Sequence, residues 1–183
     1  MGEPLIFLRM KSGIFNYDQG VKNISSVTEI FSDEWRRLRD LRLASLRESP
    51  SAFGGNYDDE KLLDESAWRA KFEKLRFLVA CVNEIDAATM SVENLDGDFG
   101  ATCWVGGCWV DPQFRGMGLM RELFFFLDQK ADENDWKIQG LGVWTDNEIA
   151  INAYLALGFL KAGEDIPSTR HPGKSYVRMI RKT

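Results

Sequence analysis

Four consecutive residues, Arg115-Gly116-Met117-Gly118, carry the clearest sign of chemistry in this sequence. They follow an apolar, β-branched and aromatic run that ends at Val110 and is stopped by Pro112, and an amphipathic helical pattern opens at Leu119. Strand, glycine turn and helix in that order let several backbone N–H groups converge at the positive end of a helix with no Cβ in the way. Such a nest binds phosphate. A P-loop would need Lys and then Ser or Thr after its last glycine, where this chain has Leu119 and Met120. A dinucleotide fingerprint would need a third glycine where Arg121 stands. The plain alternative is an ordinary strand-to-helix turn.

The other reactive side chains are fewer. Cys81, Cys103 and Cys108 lie in apolar, strand-like runs without CxxC spacing, which reads as free thiols in a reducing cytosol. Cys108 stands close to the glycine turn, but the single histidine, His171, lies far along the chain, so a nucleophile with its base is not expected and neither is a metal site. Arg170, His171 and Lys174 share a late loop that could meet an anionic group.

The elements around the turn follow from pattern. Val27 to Phe31 predicts a strand, with Ser32 or Asp33 capping a helix whose Trp35, Leu38, Leu41 and Ala44 form one face until Ser49-Pro50. A loop with two glycines leads to a second helix capped by Asp64. Phe77 to Val82 is a continuous apolar run, hence a buried strand, and Ala87 to Leu95 another. Asp96-Gly97 predicts a two-residue hairpin into the strand that ends at Val110. After the helix from Leu119, Gln139 to Trp144 predicts a strand parallel to that one. Thr145 and Glu148 fit a capping box for a helix closed by Gly158, and Phe159 to Gly163 and Ser175 to Ile180 are the last strands. Residues 1–22 read as an arm or extra strand before a single domain over 23–183.

With 183 residues, 44% of them hydrophobic and 28% charged, the chain suits one soluble domain. A net charge of -5 argues against non-specific nucleic-acid binding. No apolar run approaches the ~20 residues of a membrane span, and Leu5 to Leu8 is too short for a signal-peptide core, so a cytoplasmic protein is expected.

The stretch from Val110, VDPQFRGMG, resembles the pyrophosphate loop of the GNAT superfamily of N-acetyltransferases, R/Q-x-x-G-x-G/A after the fourth strand. Arg115 and Gly118 fill its first two fixed positions, and Met120 stands where the family usually has Gly or Ala. VWTDNEIAINAYLALGF, from Val143, resembles the second family motif at Asn147, Ala150, Tyr154, Gly158 and Phe159. The resemblance covers roughly residues 27–181. It implies an α/β (α+β) fold with a mixed, mostly antiparallel central sheet of six to seven strands, about four helices and a splayed parallel strand pair at the centre.

It also implies acetyl-CoA as co-substrate. The backbone of Cys108, Trp109 and Val110 would bond the pantetheine arm like an added strand, the amides of Gly116, Met117, Gly118, Leu119, Met120 and Arg121 would hold the pyrophosphate with help from Arg115, and Asn147 would bond the pantetheine. Tyr154 occupies the place of the family's general acid, for the departing thiolate. Glu93 is a candidate base. The position five before Asn147, where some protein-acetylating relatives carry Glu, is Gly142, which turns the expectation towards a small-molecule amine. The expected activity is direct acetyl transfer to a primary amine in a ternary complex. The alternatives are a non-catalytic acyl-CoA sensor on the same fold and a nucleotide-binding α/β domain. Acceptor identity and oligomeric state, a homodimer included, stay open.

Overall fold

The run FLVACV predicts a buried strand, and the computed structural model, which describes residues 14–15 and 25–183, places it as β3 (Arg76–Val82). Leu78, Ala80 and Val82 face one apolar layer, while Phe77 and Val79 face the other. Successive side chains point to opposite faces of a strand, so a strand covered by helices on both sides has no use for alternation. That is why the run is unbroken.

Around β3 the described residues form a nine-stranded sheet in the order β1-β2-β3-β4-β5-β6-β9-β7, with β8 also on β9. The strands are β1 (Ile14–Phe15), β2 (Ser25–Ile30), β4 (Ile85–Asn94), β5 (Cys103–Val110), β6 (Ile138–Trp144), β7 (Leu160–Lys161), β8 (Ile166–Pro167) and β9 (Ser175–Lys182). Three have only two residues, leaving six substantial strands, as expected. Every pairing is antiparallel except β5 with β6. Of the arm expected over residues 1–22, only Ile14–Phe15 are described, and they add a short strand to β2.

Helices cover both faces. α4 (Leu119–Gln129) presents Leu119, Leu123, Phe124 and Leu127 to the layer that includes Leu78, Met90 and Val105. On the opposite face α1 (Trp35–Glu48) and α3 (Glu65–Ala70) pack Leu38, Leu41 and the fully buried Trp68 against Ile30, Val79 and Trp109. α2 (Tyr57–Glu60) and α5 (Ala131–Asn134) are single turns, and α6 (Glu148–Ala156) lies on the α4 side through Ile151 and Tyr154.

Several boundaries differ from the sequence reading for local reasons. Neither Ser32 nor Asp33 caps α1. A 3-10 turn over Ser32–Glu34 comes first, and Glu34 reaches back to accept the Phe31 N–H at 3.2 Å. Asp96-Gly97 does not make a two-residue hairpin, because the Leu95 N–H pairs with Thr102 O and a 3-10 turn over Asp98–Gly100 fills the longer loop. The tight hairpin is one connection earlier, at Asn83-Glu84, both with positive φ, so β4 starts at Ile85. Thr145 does not cap α6 but bonds Ser175 O through both its amide and its hydroxyl, and Asn147 is the cap. Asp64 caps α3 as expected, and Gly158 closes α6 at φ 88°.

The two sheet halves are tied to α4 and α6 by Arg181 on β9. Its guanidinium donates to Asp128 of α4 at 2.5 Å, to Gln139 of β6 at 2.9 Å and to the Leu157 carbonyl at 3.0 Å. Gln139 is itself fully buried and donates to Asp128. Removing the cation strands a buried amide and a carboxylate together. Arg181→Met is expected to lower unfolding free energy by about 2–3 kcal/mol in urea titrations at neutral pH; a loss below about 1 kcal/mol would show the network to be dispensable.

Candidate functional site

β5 and β6 begin as neighbours and then part. Their parallel ladder holds only Cys103 with Gln139, Trp104 with Gly140 and Val105 with Leu141. Beyond Val105, β5 stays with β4 up to Val110, while β6 follows β9 up to Trp144. The parting coincides with a bulge: Ser91 of β4 pairs Gly106 and Thr89 pairs Trp109, so Met90 faces both Gly107 and Cys108. Gly107 sits at φ 60°, a backbone state that only glycine adopts cheaply in a strand. The extra residue shifts the alternation by one. Cys108 and Val110 therefore pack with Val105 on the α4 face, and Trp109 packs under α1.

At the open end of the cleft the chain turns into α4 through the glycine loop. Asp111 accepts the Gln113 amide at 2.9 Å and fixes a 3-10 turn over Pro112–Phe114. Gly116 and Gly118 then take φ of 80° and 81°. The Glu122 N–H to Gly118 O bond, at 3.1 Å, opens the helical ladder, so the amides of Leu119, Met120 and Arg121 precede it and face outward from the helix start. A Cβ on Gly116 would meet nothing within 4 Å, and one on Gly118 would lie 3.1 Å from the Arg121 guanidinium. Arg121 thus lies over the nest, a role for its side chain that the sequence does not reveal. Arg115 is turned the other way. Its Nε donates to Val110 O at 3.1 Å and an Nη to Glu48 at 2.7 Å, while Glu48 also accepts Trp109 Nε1 at 3.1 Å. Hydrogen bonds from Ser49 above all, then from Trp109 and Arg115, hold the Glu48 carboxyl below its usual range. Arg115 laces the loop to β5 and to the end of α1.

The α4 wall of the cleft is made by α6. Phe159 N–H donates to Tyr154 O and Gly158 N–H to Leu155 O, both at 3.0 Å, a left-handed helix end that fixes Tyr154 relative to Phe159. Phe124 and Phe159 meet the Tyr154 ring edge to face at 6.4 and 5.8 Å. The Tyr154 phenol lies beside the Cys108 thiol. Burial first, then Cys108, pushes the Tyr154 phenol well above its ordinary value. Burial likewise raises the Cys108 thiol to about 11, with the neighbouring Tyr154 hydroxyl opposing. Tyr154 is a phenol that keeps its proton, and Cys108 is a thiol that keeps its own. Asn147 caps α6 through Oδ1, accepting the Ala150 N–H at 3.1 Å.

On the opposite face the cleft opens into a cavity of about 300 Å³. Phe53, Trp104, Trp144 and Tyr176 wall it, and Gly106, Gly107 and Gly142 form its floor. Two loops meet over it: His171 Nε2 lies 3.2 Å from Gly54 O, and Lys174 Nζ donates to Ser51 O at 3.1 Å. Glu93 is not among the residues lining this cavity; it pairs with Trp104 on the still-joined part of the strands. The aromatic walls were missed in the sequence because they come from four separate elements, with only strand alternation to mark them. A second cavity, of about 190 Å³, lies between α1, α3 and the sheet and shares Gly107. Trp68 lines it with an unpartnered indole N–H.

A model of the acetyltransferase (GNAT) family matches residues 27–159. The chain belongs to the GNAT acetyltransferase family. No curated protein matches it in sequence. Among solved structures, yncA of Salmonella typhimurium, with its cofactor acetyl-CoA, is similar at 16% identity and a TM-score of 0.68, over 86% of this chain and 93% of that one. A GNAT-family acetyltransferase from Streptococcus pneumoniae is similar at 14% identity and a TM-score of 0.70, over 86% and 98%. RimL, a ribosomal L7/L12 α-N-protein acetyltransferase in complex with coenzyme A, is similar at 12% identity and a TM-score of 0.67, over 86% and 93%. These likenesses are of fold.

Against the GNAT pattern, Met120 is partly buried against the α4-side core, so its side chain leaves the nest rather than filling it. Gly142 has a local reason: a Cβ there would lie 3.0 Å from the Trp104 ring and 3.2 Å from Tyr176. Among the described residues no helix is long and apolar enough to cross a membrane.

The Cys108–Tyr154 pair can be tested without any ligand. With its thiol near 11, Cys108 in the folded protein is expected to alkylate with iodoacetamide at pH 8 roughly 10²-fold more slowly than a free thiol of pKa ~8.5, read by peptide mass spectrometry. Tyr154→Phe should slow it further, since the hydroxyl favours the thiolate. Labelling at the free-thiol rate would contradict this environment.

Proposed function

We propose that the protein transfers acetyl from acetyl-CoA to a primary amine of a small molecule, by direct attack within a ternary complex. The observation that carries this reading is the gap between β5 and β6, with a glycine nest at its mouth and a protonated tyrosine in its wall. The free edge of β5 over Cys108, Trp109 and Val110 suits a peptide-like pantetheine arm, which would add to it as a short strand. The first-turn amides from Gly116 to Arg121 suit the pyrophosphate, with the Arg121 guanidinium as the nearest cation. Arg115 would brace the loop, and the NH₂ end of Asn147 would bond the arm.

In the reaction the amine nitrogen bonds the acetyl carbon and the carbon–sulfur bond breaks. A β5 N–H near Val110 would polarise the carbonyl. Tyr154 gives its proton to the leaving sulfur, and the proton lost by the nitrogen leaves through water and restores the phenol. The raised phenol suits this role, because the group stays protonated through the neutral range. Cys108 takes no covalent part: its thiol is raised and no histidine lies beside it. Three free cysteines fit a reducing cytoplasm.

Tyr154→Phe is expected to lower kcat by ~10²-fold or more with little change in KM for acetyl-CoA. An unchanged kcat, with chemistry shown to limit turnover, would remove Tyr154 from the mechanism. Cys108→Ser should retain most activity, and an acetylated Cys108 trapped in single turnover would refute direct transfer. An amine panel scored by release of free CoA separates an enzyme, which turns over, from an acyl-CoA sensor, which binds and does not.

A further inference from the structure

The inner cavity, between α1, α3 and the sheet, has mostly apolar walls, Leu38, Leu75, Phe77 and Met90 among them. Most polar groups that line it are already satisfied: Thr89 Oγ1 donates to Leu78 O and Ser45 Oγ to Arg42 O. Two are not. Trp68 is fully buried and its indole N–H bonds no protein group, and the Ser91 hydroxyl makes no hydrogen bond among the described residues. An indole N–H can only donate, and a buried donor left unmade is costly, so Trp68 calls for an acceptor atom beside it. Trp35 has an unpartnered N–H too, but it does not line this cavity.

The cavity reaches the point where acetyl transfer would occur. Gly107 lines it, and Gly107 lies just past Val105, the last residue of β5 that pairs with β6. A Cβ on Gly106 would lie 3.2 Å from Ser91 Oγ and one on Gly107 would lie 3.6 Å away, so the two glycines leave bare backbone beneath that hydroxyl at the head of the gap. Ser91 therefore marks the reacting end, and Trp68, on α3, the helical wall.

Charge gives the cavity a direction. Glu93 lies on the same face of β4 as Thr89 and Ser91, one alternation beyond Ser91 and outside the cavity wall, so its carboxylate stands toward the reacting end. On the helical side Arg42 and Lys71 line the cavity, and both are held by Glu60, at 2.7 and 3.6 Å. Two cations share one carboxylate. A second ammonium would enter against the surplus positive charge, and a carboxylate would give up its hydration to cations that are already engaged. The group that suits Trp68 is uncharged. At about 190 Å³ the cavity exceeds the ~150 Å³ that holds benzene, so a chain of roughly six heavy atoms fits.

We propose that the acceptor is a primary amine on a short apolar chain that ends in an uncharged hydrogen-bond acceptor, a hydroxyl or an amide carbonyl. Its nitrogen lies over Gly107 against Ser91 Oγ, its chain runs between Leu38 and Phe77, and its far end takes the Trp68 N–H. This rests on the acetyltransferase reading above and narrows its substrate.

The test is a steady-state panel on the full chain with saturating acetyl-CoA and amines matched in length: 5-aminopentan-1-ol, hexylamine, 1,5-diaminopentane and 6-aminohexanoate. The amino alcohol is expected to exceed each of the others by at least ~10-fold in kcat/KM, in keeping with a buried donor that the others leave unpaired or meet with the wrong charge. Trp68→Phe, which deletes the N–H and keeps a ring, should remove that advantage while kcat/KM for hexylamine stays within ~2-fold. A merely structural role for Trp68 would lower all of them alike. Ser91→Ala should lower kcat/KM for every amine by a similar factor and leave their order unchanged, with acetyl-CoA Kd, from calorimetry, unchanged. Should Trp68→Phe fail to fold, the order on the unsubstituted protein decides alone. Equal use of the amino alcohol and hexylamine, or a lead by the diamine or the carboxylate, overturns the acceptor assignment and leaves acetyl transfer standing, as does an advantage that survives in folded Trp68→Phe. Turnover on other amines but on none of these has the same meaning. Acetyl-CoA binding without turnover on any amine, or no acetyl-CoA binding, overturns both.

Discussion

One backbone irregularity decides where this molecule can act. A regular β5 would continue its ladder along β6 and close the sheet. The inserted residue at the Gly107 bulge reverses which side chains face which layer, turning Cys108 to the α4 side and Trp109 under α1. With Trp109 held by Glu48 and Trp144 drawn along β9, the two strands separate just where the glycines begin. The cleft therefore has unpaired main chain at its centre, a helix start at one end and different chemistry on each face.

The division of faces explains the electrostatics. On the α4 side, aromatic packing half-buries Tyr154 beside Cys108, and burial raises both weak acids so that each keeps its proton. Toward the α1 side, charge is handled by pairing: Glu48 gathers Trp109, Arg115 and Ser49, and Glu60 takes Arg42 at 2.7 Å. Gly55 is what lets that second pair form, since a Cβ there would overlap both the Arg42 guanidinium and the Glu60 carboxylate. The pair in turn steadies the loop that carries Phe53, whose ring Arg42 covers at 5.1 Å.

Much of this was legible in the sequence. Local signals survived folding: FLVACV as a buried strand, Asp64 as a cap, Gly158 as a helix end, and the glycine turn before Leu119. Signals misled where a distant partner outbid a local one. Thr145 had the residue types of a capping box but bonds Ser175 across the sheet, and Asp96-Gly97 had the dipeptide of a tight hairpin inside a loop set by the Leu95–Thr102 pair. The GNAT resemblance pointed to Tyr154, but only coordinates show it beside Cys108, Arg115 on Glu48 and Arg121 over Gly118. The aromatic cavity has no code in spacing, because its walls converge from a loop, β5, β6 and β9.

The two loops that roof the cavity grip each other in an unusual currency. His171 and Lys174 contact the carbonyls of Gly54 and Ser51, not side chains. A main-chain oxygen is supplied by whatever residue stands there, so mutations between Ser51 and Gly54 that preserve the backbone path leave the latch intact. The roof can therefore be re-lettered on one side without a matching change on the other, and a lineage of such proteins has a route to new acceptors that never dismantles the lid or disturbs the strands beneath it.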